Sequence, residues 1–140
     1  MFMEPLLKIE KIVVHHSERD SDCVEFIQVR HKKRGFEDIG YHFVIEKDGT
    51  LKKGRNEKFI GAHVFGFNQN SIGICLIGNF DENLPTEKQI KTLLKFLKKK
   101  LKEYGLDAKD VLGHREFQGV KKTCPGKNVD MDELRSKLKN

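Results

Sequence analysis

The hydrophobic positions of this 140-residue chain change period along its length, and each change marks an element. Lys11–His16 (KIVVHH) is a short β-branched run of the kind that packs well on a pleated surface. Val24, Ile27 and His31 recur at helical spacing, so a helix is expected over 22–34, ending at Gly35. The segment 40–46 (GYHFVIE) reads as a second strand, Lys47-Asp48-Gly49-Thr50 as a hairpin turn, and Leu51–Lys53 as the returning strand. Residues 71–78 (SIGICLIG) are almost wholly apolar and lack helix caps, which fits a strand buried on both faces in the middle of a sheet.

The longest helix is predicted over Glu87–Tyr104. Thr86 and Gln89 have capping-box spacing, Gly105 supplies a left-handed stop, and Leu106 can close back on Leu101. Ile90, Leu93, Leu94, Leu97, Leu101 and Tyr104 share a core face, with Lys88, Lys91, Lys95, Lys98, Lys99 and Lys102 opposite. A final helix is expected from Asp130, with Asp130 and Glu133 at N-cap and N3 spacing. Strand and helix patterns alternate without internal repeats or linkers. The expected fold is therefore α/β, a mixed central β-sheet flanked by helices in a single domain over 1–140, with ragged ends at about 1–5 and 139–140.

Composition narrows the function. With 37% hydrophobic residues and ten Phe the chain can form a real core, and no apolar tract reaches the ~20 residues needed to span a bilayer. Three scattered cysteines, Cys23, Cys75 and Cys124, do not form a disulfide framework and fit a reducing compartment; Cys75 is expected only to pack. The first ten residues do not read as a secretory signal, so cytoplasmic accumulation is expected. A net charge of +6 admits nucleic acid, a membrane surface or a bacterial wall as anionic partner. Seven Lys against two Glu within 87–104 place most of that surplus on one helix, and no nucleic-acid recognition motif appears, so no specific nucleic-acid partner is expected.

Candidate chemistry gathers at His15-His16 on a strand end, Tyr41-His42 in a strand, His63 in a loop, and the late segment holding His114 and Cys124. Each has a plain structural reading too. A strand-end His caps carbonyls, His31 fits a core edge, Cys before Pro-Gly fits a turn, and the lysine-rich helix face fits simple solvation. The His–Cys spacing does not match a structural zinc finger. Two His and one Cys would give three ligands and leave a fourth position open, as in a catalytic zinc site.

In order along the chain, VVHHS, RGFEDIGYHFVIEKDGTLKKGR, GAHVFGFNQNSIGICLIGN, GHREF and KKTCPG resemble the zinc-dependent N-acetylmuramoyl-L-alanine amidases, a group that includes phage lysozyme-type amidases and animal peptidoglycan-recognition proteins. The resemblance covers about residues 11–126. It implies Zn2+ as cofactor with His15, His114 and Cys124 as ligands, Tyr41 and Lys122 as catalytic residues, and His63 and Asn68 as substrate-binding residues. His42, on the opposite strand face from Tyr41, is then structural. Animal recognition proteins generally carry Thr where Lys122 stands, so the chain is similar to the phage branch; Lys121 lies beside it.

The implied activity is hydrolysis of the amide between N-acetylmuramic acid and L-alanine of peptidoglycan. The implied partner is the muramyl peptide of the wall, met by a monomer without membrane insertion, either after release from the cell or as imported fragments. The competing readings are a module that binds peptidoglycan without cutting it, and a regulatory protein acting through its basic surface.

Overall fold

The computed structural model describes residues 3–139; of the ragged ends expected from sequence, positions 1, 2 and 140 lie outside the described residues. Five strands form one mixed sheet: β1 (Lys11–His16), β2 (Phe43–Ile45), β3 (Leu51–Lys53), β4 (Ser71–Leu76) and β5 (Val111–Gly113), in the order β3-β2-β4-β1-β5. Only the β2–β3 hairpin is antiparallel; β2, β4, β1 and β5 run parallel. Three helices flank the sheet: α1 (Val24–Lys33), α2 (Glu87–Tyr104) and α3 (Met131–Leu138).

The alternation of side chains along β1 and β4 builds two unlike cores. Ile12 and Val14 of β1, with Ile72, Ile74 and Leu76 of β4, meet Leu93, Phe96, Leu97 and Leu101 of α2 and Leu134 and Leu138 of α3. Each such fully buried aliphatic contributes about 1.5–3 kcal/mol. On the other face Cys75 and Ile77 meet Ile27 of α1, and Val13 meets Val64 and Phe117 from loops. β4, third of the five strands, is buried at all six positions, which explains its unbroken apolar run.

α2 has the expected ends. Thr86 Oγ1 accepts from the Gln89 N–H, the Gln89 side chain accepts from the Thr86 N–H, and Gly105, at φ 67°, lets the Leu106 N–H reach the Leu101 carbonyl. Its core face is turned from the expected one. Phe96 and Lys100 are buried, whereas Ile90, Leu94 and Tyr104 are half-buried. Lys100 enters because its ammonium pairs with Glu57 at 2.8 Å and Glu103 at 3.2 Å and lies over the Phe43 and Tyr104 rings.

Two other boundaries shift. α1 starts at Val24 instead of 22, because the Asp22 carboxylate is occupied by the Cys23 N–H and the Arg30 guanidinium. β2 is shorter than 40–46, because its entry residues pack against a loop: the Ala62 N–H donates to the Gly40 carbonyl, and Arg55 donates to the carbonyls of Asp38, Ile39 and Ile60. No helix among the described residues is long and apolar enough to cross a membrane.

Candidate metal centre

His15 and His114 come together through strand register. β1 and β5 are parallel with Val14 opposite Gly113, so the residues that follow, His15 and His114, stand side by side at the carboxyl ends of the strands. Their ring centroids are 4.7 Å apart. Carboxyl ends of parallel strands are where open α/β sheets bind ligands.

Cys124 arrives by a loop that is tied to the same strand end. The Arg115 N–H donates to the Cys124 carbonyl at 2.7 Å, and the Arg115 guanidinium donates to the carbonyls of Thr123, Gly126 and Val129. Glu116, next along, accepts from the Gly113 N–H and pairs with Arg135 of α3. The residue after His114 therefore holds the loop that carries Cys124. Arg115 stands in the GHREF block with no role evident from sequence, since its carbonyl partners come from the distant loop.

The ligand-capable atoms of His15, His114 and Cys124 all lie within 4.8 Å of one another. His15 Nδ1 is 3.7 Å from Cys124 Sγ, close to the ~3.6 Å between an N and an S ligand on one tetrahedral zinc. A His2Cys donor set with room for a fourth ligand fits zinc of the catalytic kind. Burial pushes the pKa of His15 well down and lowers that of His114, so both rings are neutral and able to ligate. Burial also pushes the Cys124 thiol up to about 12, against the His16 N–H donated to its sulfur at 3.4 Å and the nearby Lys122 charge. A cation held there would favour the thiolate form of Cys124.

His16 does not enter this group. It points to the opposite face of β1, where its Nδ1 accepts from the Phe80 N–H and its Nε2 stands 3.7 Å from Glu18. His42 is likewise spent on backbone, accepting from the Gly73 N–H and donating to the Phe59 carbonyl.

A cleft of about 690 Å³ opens over the cluster. Tyr41, His63, Asn68 and Lys122 all line it, together with Arg19, Arg30 and Arg34; Lys121 is not part of this lining. The Tyr41 ring is 5.0 Å from that of His15, and burial raises its pKa well above the usual phenol value, so it keeps its proton. Lys122 is exposed at the rim. Asn68 Oδ1 is engaged, accepting from the His63 and Val64 N–H groups at 2.8 Å, and both His63 ring nitrogens face protein partners. Arg30 is held by Asp22, and Arg34 lies 5.1 Å over the Phe36 ring, which leaves its N–H groups for the cleft.

Comparison with known proteins gives a consistent likeness. A family model described as N-acetylmuramoyl-L-alanine amidase matches residues 5–127. The endolysin of Enterobacteria phage T3 is 44% identical over 82 residues, which span 56% of this chain and 54% of that protein. The endolysin of Escherichia phage T7 is 38% identical over 125 residues, 83% of this chain and 80% of that protein. The matched stretch is thus about half of one relative's length and four fifths of the other's. Among solved structures, the amidase LysC from Clostridium intestinale URNW superposes with a TM-score of 0.92 at 33% identity, covering 99% of this chain and 90% of that one.

Proposed function

The chain belongs to the N-acetylmuramoyl-L-alanine amidase family, and from that premise we propose that it is a zinc-dependent enzyme cleaving the amide between N-acetylmuramic acid and L-alanine in peptidoglycan. The observation that carries the zinc reading is the convergence of His15, His114 and Cys124 at the strand ends under an open cleft. When bound there, zinc supplies the Lewis acidity that amide hydrolysis needs at neutral pH.

The remaining work falls to side chains of the cleft. Cleavage passes through a tetrahedral oxyanion, and donors already aimed at it cost no reorganisation. The Lys122 ammonium and the protonated Tyr41 hydroxyl are the donors at hand, and one of them gives a proton to the leaving nitrogen and regains one from the attacking water. Arg19 and Arg34 make the cleft wall positive, which suits the carboxylates of a stem peptide. Retention of Cys124 and Lys122 favours hydrolysis over binding alone.

Cys124→Ser is the direct test, read as release of L-alanine peptide from a soluble muramyl peptide. The variant and the chelator-treated wild type should both lose cleavage, with activity returning on zinc addition to the wild type. Cleavage that persists in either sample would rule out the zinc mechanism.

A further inference from the structure

Behind His15 runs a chain of hydrogen bonds whose direction is fixed from its far end. His15 Nε2 is 2.9 Å from His63 Nδ1, His63 Nε2 is 3.3 Å from Ser71 Oγ, and Ser71 Oγ is 2.8 Å from the Phe67 carbonyl. A carbonyl only accepts, so the single hydroxyl proton of Ser71 goes to Phe67 and its oxygen is left as an acceptor. His63 therefore donates from Nε2. A neutral imidazole carries one N–H, so His63 Nδ1 accepts, and His15 donates to it from Nε2. The lone pair of His15 is left on Nδ1, the atom that lies 3.7 Å from Cys124 Sγ.

We propose that His63 and Ser71 are positioning residues for the metal centre: they hold His15 in its Nε2–H tautomer and so present Nδ1 to the ion. This rests on the zinc reading above and gives His63 a role other than the substrate contact that family resemblance implies. Two glycines make room for the ring of His63. A Cβ at Gly73 would come within 2.7 Å of His63 Cγ and Nδ1, and one at Gly61 within 2.8 Å of its Cδ2. A side chain at either position would meet the ring, so both glycines keep its site open. Asn68 fixes the backbone of the same residue, and His42, the other neighbouring imidazole, has both nitrogens engaged elsewhere. Groups that orient a metal-bound His in this way are typically worth about 10- to 100-fold in metal affinity.

Two readouts test the proposal on the full chain. Long-range 15N–1H correlation of the imidazoles in the metal-free wild type should show His15 protonated at Nε2. Zinc affinity, measured by competition with a chromophoric chelator, should fall about 10- to 100-fold in His63→Leu and move the same way in Ser71→Ala. His63→Gln, whose amide can accept from His15 and donate to Ser71, should keep affinity within about threefold of wild type. A purely structural role for His63 would lower thermal stability and leave zinc affinity unchanged. Wild-type His15 protonated at Nδ1, or His63→Leu binding zinc as tightly as wild type, overturns the proposal. Failure of the amidase reading alone looks different: zinc bound with normal affinity, these readouts intact, and no cleavage of the muramyl amide.

Discussion

Single residues in the cleft carry separable consequences. Lys122 lines the cleft, where its charge adds to burial in lowering the pKa of His114 and works against burial at the Cys124 thiol, whereas Lys121 is absent from the lining. Lys122→Ala is therefore expected to lower kcat by on the order of 10²–10³, the usual loss for one oxyanion donor, while Lys121→Ala stays near wild type. Steady-state rates on a soluble muramyl peptide check both. His31 gives a second prediction. It is buried under the cleft, its Nδ1 accepts the Gly40 N–H, and burial together with Arg34, Arg30 and Arg55 pushes its pKa down to about 4. The unfolded chain takes up a proton at His31 near pH 6.5, and the folded chain does so only near pH 4. Its contribution to stability is thus complete above about 6.5 and lost as pH falls through that window. Denaturant unfolding of the metal-free protein from pH 7 to 4 should show a slope that His31→Gln reduces by about one proton.

At the scale of elements, the legible features were those whose cause is local. α2 announced both ends, because Thr86, Gln89 and Gly105 act on backbone groups a few residues away. The Asp130 cap of α3 was legible for the same reason, its side chain accepting the Glu133 N–H. β4 was legible because a central strand is apolar on both faces. Burial of Lys100 was not, since it depends on Glu57 and Phe43, which reach α2 only through the fold. The start of β2 was obscured in the same way by Arg55, a buried cation whose carbonyl partners come from two separate loops. β5 was not legible, since a strand of only three residues carries too short a hydrophobic pattern to announce itself.

For the molecule as a whole, the two faces of the sheet have divided the work. α2 and α3 cover one face with an aliphatic core, and the six lysines predicted to face outward on α2 are all exposed. The other face carries His15, Tyr41 and His63 beneath the cleft. The lysine surplus of α2 is therefore on the face away from the cleft, and composition alone could not find the cleft residues. Resemblance named the His15, His114 and Cys124 set, and parallel register with the Arg115 clamp supplies the physical reason these distant positions meet. The direction of the His15–His63–Ser71 chain was illegible in sequence, because it depends on which acceptor Ser71 faces. The proposed function stands or falls on cleavage at the muramoyl–alanine amide. Mass spectrometry of purified peptidoglycan digested with the zinc-loaded protein is the decisive measurement: new free N-terminal L-alanine with no new reducing sugar ends is expected, and new reducing ends without free alanine would overturn it.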